Sequence, residues 1–293
     1  MHPVLFHIGK FPIRSYGTLL VTGFMLGLWR AVRVADHRWR TEPEGSPRRI
    51  HPDNVFDLGI YGLLVALVGA RLLFVLLDWG EYARRPIDIV KLWAGGLSLH
   101  GALLFGILYL IYFCRKRKIS VLALGDLCAP SWAIGYAVGR IGCLLNGCCY
   151  GAACSLPWAV RFPDERHPGH LTPPSHPTQL YATLFNLFFF FVLRWWEQRP
   201  RRDGELFYGY IAMYGFYRFI VEMFRMGATS TYRIPSLHLT DTHLVSIAMF
   251  ALGIGAIVWL RRHRPAVALA PAGAEALPAK VALQPQQGNP TTK

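Results

Sequence analysis

Acidic residues are scarce in this chain of 293: 17 Asp and Glu stand against 31 Lys and Arg, and charged residues of either sign make up only 16%. Soluble domains carry about 25%. Hydrophobic residues reach 53% and aromatics 14%, collected in long runs rather than amphipathic stripes, so an ordinary soluble domain is excluded. The net charge of +14 does not indicate nucleic acid, because the basic residues lie in short clusters between apolar runs. The six cysteines include no CxxC pair. Cys143, Cys148, Cys149 and Cys154 lack the spacing of a zinc knuckle, and adjacent cysteines seldom both bind one ion, so neither a metal nor another cofactor is expected. A disulfide near the outer face is the other reading of these thiols. The first apolar run, starting near Tyr16, exceeds a signal-peptide core and lacks a small-residue cleavage site, so no cleavable signal is expected. No internal repeat supports a transporter built from inverted halves.

What the chain does have is seven apolar runs, at residues 16–34, 55–77, 92–114, 122–145, 180–196, 207–224 and 244–260. They are of the order of the ~20 residues a helix needs to cross a bilayer. The expected fold is all-α, a polytopic membrane protein with seven transmembrane helices. Basic residues favour one set of loops: Arg30 to Arg49 after run one, Arg115 to Lys118 after run three, Arg194 to Arg202 after run five and Arg261 to Arg264 after run seven. The positive-inside bias therefore sets the N-terminus outside and the C-terminus in the cytoplasm. Residues 1–262 read as a single transmembrane catalytic domain with a long outside loop at 152–177, and 263–293 as a disordered cytoplasmic tail rich in Ala and Pro.

Charged side chains within such runs are functional candidates by default. At about 1.5 Å per residue, Arg140 lies roughly 27 Å and Arg71 roughly 24 Å from the inner starts of their runs. His100, in GGLSLHGA at 95–102, falls roughly 12 Å below the outer surface if its run begins at 92. Arg218 and Glu222 lie roughly 16 and 22 Å up theirs. Several runs thus bring polar groups to the outer half. Tyr214, Arg218, Glu222 and Arg225 share one helical face by spacing, which implies an Arg218–Glu222 pair. Guanidinium forks facing the outer leaflet suit the phosphate of an anionic phospholipid, and His100 beside them is a candidate general base, since free imidazole titrates near neutral pH.

The stretch GRIGCLLNGCCYG at 139–151 resembles the signature of the prolipoprotein diacylglyceryl transferase family. The resemblance extends in order through Tyr16-Gly17, Gly69-Ala70-Arg71, the glycine-flanked His100, LGDLCAP at 124–130, HPTQLY at 176–181 and YGFYRFIVEMFR at 214–225. It implies an enzyme of the bacterial cytoplasmic (inner) membrane with its active site towards the outer leaflet. That enzyme would transfer sn-1,2-diacylglyceryl from phosphatidylglycerol to the lipobox cysteine of a prolipoprotein signal peptide, forming a thioether and releasing glycerol phosphate. By the same resemblance Arg140 and Arg218 hold the phosphate, Arg225 assists and Glu222 orients them. His100 acts as base, and Tyr16, Asn146, Tyr214 and Arg71 are further binding positions. The chain departs from the family pattern at Cys143, Cys148 and Ala182, where an Asn and two Glu are usual; thiols do not make equivalent hydrogen bonds. The competing reading is a non-enzymatic lipid-binding protein or transporter that retains the anion pocket.

Overall fold

The computed structural model describes residues 2–9, 11–91, 95–164, 169–225 and 239–265. Among them a short antiparallel hairpin, β1 (Val4–Ile8) and β2 (Phe11–Arg14), precedes eight helices. These are α1 (Ser15–Thr41), α2 (Pro52–Leu77), α3 (Trp79–Tyr82), α4 (Leu99–Arg117), α5 (Val121–Asn146), α6 (Thr178–Glu197), α7 (Glu205–Met223) and α8 (Asp241–His263). The fold is mostly helical, and the hairpin is the departure from an all-α reading. Five helices, α1, α2, α4, α5 and α8, are long and apolar enough to cross a membrane; α6 and α7, at 20 and 19 residues, fall outside that group. The tail expected from 263 onward lies almost wholly outside the described residues.

Helix α5 is the centre of the bundle. On one side it packs against α1, with Ala31, Ala35, Val55, Leu124 and Leu127 forming one buried cluster. On the other it meets α6 and α7 through Ala133, Phe189, Leu206 and Tyr217. The approach of α1 to α5 depends on missing side chains. A Cβ added at Gly23 would lie 2.6 Å from the Gly135 carbonyl oxygen, and one at Gly135 would lie 2.9 Å from that of Gly23. Small residues let apolar helices approach backbone to backbone where no hydrophobic force drives them together in lipid. Gly135→Leu should therefore destabilise the bundle by about 3 kcal/mol. The check is the monodisperse yield after detergent extraction, with Gly80→Ala as control because its Cβ would meet nothing within 4 Å.

Two boundaries differ from the sequence expectation. Within the third run, expected at 92–114, the described residues 95–98 precede the helix and α4 begins at Leu99. Gly95 and Gly96 have φ +88° and +75°, outside helical space, and Ser98 then caps α4 by accepting from Gly101 N–H. His100 consequently sits in the first turn, less deep than counting from 92 placed it. The first run, expected to end at 34, continues to Thr41, and Arg30 and Arg38 on its inner face are buried in ion pairs. Arg30 Nη2 and Arg38 Nη2 reach Glu197 Oε2 and Oε1 at 2.5 and 2.9 Å, and Arg194 joins the same carboxylate at 2.8 Å.

Asp126 has a comparable structural task. Its carboxylate accepts from Gly204 N–H and Phe207 N–H, each at 2.9 Å, and so caps the start of α7. These contacts fix the far end of the bundle. At the opposite end meet the hairpin, the start of α1, the ends of α5 and α7 and the start of α8; His2 N–H donates to Leu145 O at 3.1 Å there. Residues in the 152–177 stretch form short antiparallel bridges, Ala153 with Ser175 and Pro163 with Leu171.

Candidate active site

Arg140 lies near the C-terminal end of α5, one turn after Tyr136, so the two side chains share a face. Its Nε donates to Tyr136 Oη at 2.9 Å and its Nη2 donates to the same oxygen, while the guanidinium carbon stands 4.9 Å from the Tyr136 ring centroid. Tyr217 Oη donates to Tyr136 Oη at 2.6 Å. Tyr214 completes the aromatic wall, its ring edge-on to Tyr136 and Tyr217 at 5.7 and 5.1 Å. This wall orients the arginine and leaves its remaining N–H groups for another acceptor. Tyr136 was not singled out from the sequence, though its position four residues before Arg140 is the signal that finds it. Tyr136→Phe should lower turnover about tenfold by freeing the fork, with KM for the anionic substrate rising more than kcat falls.

On α7, the spacing-implied pair forms: Arg218 Nη1 meets Glu222 Oε2 at 2.9 Å. Glu222 is buried, and its other oxygen accepts from Thr240 Oγ1 at 3.3 Å. Thr240 is the N-cap of α8 and makes a reciprocal capping box with His243, whose ring packs on Phe219 at 4.7 Å. The carboxylate therefore joins the arginine to the start of α8. Arg225, just beyond α7, lies within electrostatic reach of Arg218, Cys149, Glu222 and Arg140; burial and then the Arg218 guanidinium push it below the ordinary arginine value. Three arginines from α5, α7 and the segment after α7 thus concentrate positive charge at one end of the bundle, against the single carboxylate of Glu222.

Tyr16 and Asn146 join this end. Tyr16, in the first turn of α1, is half exposed and within electrostatic reach of Arg140 and of Cys143, Cys148 and Cys149. Asn146 is the last residue of α5, two residues before Cys148, whose Sγ donates to Cys143 O at 3.8 Å. The HPTQLY segment holds the cysteine loop in place. Thr178 Oγ1 donates to Cys149 O at 2.7 Å and Gln179 Nε2 to Cys148 O at 2.6 Å. Tyr181 Oη accepts from Trp158 Nε1 at 2.8 Å and lies 3.2 Å from His176 Nδ1. These residues carry a family motif whose individual tasks sequence reasoning left unassigned.

Two further expected site residues lie on α2 and at the start of α4. Arg71 is buried and directs its guanidinium to backbone: it donates to the carbonyls of Asp88, Ile89, Gly95 and Gly96 at 2.5, 2.9, 2.7 and 2.8 Å. A Cβ at Gly96 would lie 2.6 Å from its Nη1, so the glycine admits the arginine. His100 is exposed in the first turn of α4, a helix that packs chiefly on α2. The loop braced by Arg71 leads directly into it.

An apolar helical bundle that gathers arginine forks and tyrosine hydroxyls at one end defines a multi-pass membrane protein equipped to meet an anionic group. A family model described as prolipoprotein diacylglyceryl transferase matches residues 3–259. The chain belongs to that family. It is 34% identical over 272 residues to the phosphatidylglycerol–prolipoprotein diacylglyceryl transferase of a Nostoc species, covering 90% of this chain and 91% of that one. The protein of the same name from Synechococcus elongatus is 33% identical over 276 residues, 90% of each chain. That from Vibrio atlanticus is 32% identical over 259 residues, 88% of this chain and 90% of its own.

Proposed function

We propose that the protein transfers the sn-1,2-diacylglyceryl group of phosphatidylglycerol to the lipobox cysteine of prolipoproteins, the first step of lipoprotein maturation. The family membership over nearly the whole chain carries this reading, and the arginine cluster supports it. The catalytic unit is residues 1–262, spanning the inner membrane seven times with α6 and α7 as the two less apolar spans. The N-terminus faces out, and the active site opens to the outer leaflet.

In the reaction the cysteine sulfur attacks the glyceryl carbon that carries the phosphate. A C–S bond forms, the C–O bond breaks, and glycerol phosphate leaves. Arg140 and Arg218 hold the phosphate, Arg225 adds positive potential, and Tyr136 and Glu222 hold the two forks in orientation. Charge grows on the departing phosphate as the C–O bond lengthens, so donors already fixed in a water-poor site stabilise the transition state more than the ground state. Tyr16, Tyr214 and Asn146 line the entry for head group and peptide, and Arg71 contributes by shaping the loop that leads to His100.

An ordinary thiol, with pKa near 8.5, is mostly protonated at neutral pH, so the proton needs an acceptor. His100 is that base in this account. His100→Gln should lower turnover at neutral pH about a hundredfold, the share a positioned general base contributes. Full turnover in the variant removes the base assignment and leaves the transfer intact.

The reading as a whole is tested by incubating the purified protein with phosphatidylglycerol and a lipobox peptide and measuring glycerol phosphate. Release that requires the peptide thiol supports it. Release with a Cys→Ser peptide, at the same rate, indicates a lipase instead.

A further inference from the structure

Three thiols at the end of α5 have no part in the transfer described above. The Sγ atoms of Cys143, Cys148 and Cys149 all lie within 4.8 Å of one another, and none of the three is in a disulfide. Sequence spacing argued against this meeting, and two backbone devices bring it about. Gly147, at φ +79°, ends α5, its N–H donating to Cys143 O at 3.0 Å; Cys148 N–H donates to the same carbonyl at 3.2 Å. The chain thereby turns back over the last helical turn, where Cys143 sits. Cys149 itself has φ +65°, a left-handed conformation that a side-chain-bearing residue keeps only when its surroundings enforce it. Thr178 and Gln179 enforce it through their hydrogen bonds to the carbonyls of Cys149 and Cys148.

Three convergent sulfurs on an enforced turn match the donor set of a soft, closed-shell cation. With metal–sulfur bonds of about 2.3 Å, a trigonal thiolate site spaces its sulfurs by about 4 Å, inside the 4.8 Å that bounds their separations here. The surroundings also suit the charge. Three thiolates around Zn²⁺ or Cu⁺ form a net anion, and both Arg140 and Arg225 lie within electrostatic reach of Cys149.

We propose that Cys143, Cys148 and Cys149 form a binding site for one thiophilic d¹⁰ metal ion, zinc or copper(I), whose anionic thiolate complex rests against the guanidinium groups of Arg140 and Arg225. Binding displaces the three thiol protons to solvent and needs no oxidant. The site fastens the end of α5 to the loop that HPTQLY holds, and it stands beside the anion cluster.

The test uses the full chain in detergent, reduced with a phosphine, stripped with a chelator and equilibrated without oxygen with Zn²⁺ in one arm and Cu⁺ in the other. Metal per chain is then measured after desalting. One ion per chain in at least one arm is expected, and the two arms identify which ion. Cys143→Ser/Cys148→Ser/Cys149→Ser should fall to background, whereas Cys154→Ser keeps its metal. A second measurement on the unaltered chain covers the case in which the triple variant fails to fold. The bound ion should slow maleimide alkylation of these three cysteines, mapped by mass spectrometry, by at least about tenfold while leaving Cys154 unchanged. Background metal in both arms, or equal protection of Cys154, overturns the proposal. Recovery of the three residues as a disulfide species that excludes metal under these reducing conditions does so as well.

Discussion

Arg140→Ala lowers transfer at least about a hundredfold, the loss expected when a fixed donor to a developing anion is removed. The protein should still be recovered from the membrane in the same amount. Tyr136, the partner of Arg140, keeps its hydrogen bond from Tyr217, so no buried donor is stranded. Arg140→Lys should not restore the activity. One ammonium group cannot both bond Tyr136 and present a fork to phosphate, and the two-pronged contact to a single hydroxyl uses the guanidinium geometry directly. The measurement is glycerol phosphate release per chain at saturating phosphatidylglycerol. Retention of more than about a third of wild-type kcat in either variant contradicts the phosphate-holding role.

Glu222→Ala is expected to affect the fold as well as the chemistry. It leaves Arg218 without its carboxylate and removes the acceptor for Thr240, so the end of α7 and the start of α8 lose their link. Removing one partner of a buried ion pair destabilises by about 3 kcal/mol or more, because the remaining charge stays desolvated. Deleting that charge too relieves the problem. Arg218→Ala/Glu222→Ala should therefore be more stable to heat than Glu222→Ala, although both are inactive, and Glu222→Gln should recover most of the stability with little of the activity. A double variant less stable than Glu222→Ala assigns the carboxylate to α8 capping rather than to the arginine. Unfolding of the purified proteins in one detergent, followed by thiol exposure or intrinsic fluorescence, makes the comparison.

Much of this arrangement was legible in the amino-acid order because the membrane simplifies the code. Long apolar runs can satisfy their backbone only as helices, so all seven runs met helices of 19 residues or more with few boundary errors. The Arg218–Glu222 pair followed from a spacing of four. Other features needed a third dimension. Arg30 and Arg38 read as loop charges, but Glu197, more than 150 residues away in sequence, buries them. Arg71 read as a ligand-facing charge in a span, yet four backbone carbonyls of the following loop surround it. The start of α4 was misplaced because two glycines in positive φ end the apolar run's helical character without any polar residue to mark it. The cysteine cluster was invisible to motif spacing, since adjacent residues point together only when one of them takes a left-handed turn.

The departures from the family pattern at Cys143, Cys148 and Ala182 concern the neighbourhood of Arg140 directly. Cys143 lies within electrostatic reach of that arginine, and Ala182 is buried against the α5–α7 core, where a carboxylate would be costly without a partner. Tyr136, which accepts in turn from Tyr217, is the hydrogen-bond partner of Arg140 among the described residues.

The most direct test of the account weighs the acceptor. The purified protein is incubated with phosphatidylglycerol and a peptide carrying a lipobox cysteine, and the peptide is then analysed by mass spectrometry. The account predicts a gain of one diacylglyceryl group on the cysteine sulfur, stable to hydroxylamine as a thioether is, absent with the Cys→Ser peptide and absent with Arg140→Ala. An unmodified peptide, with a relative from the same family active under the same conditions, would contradict it.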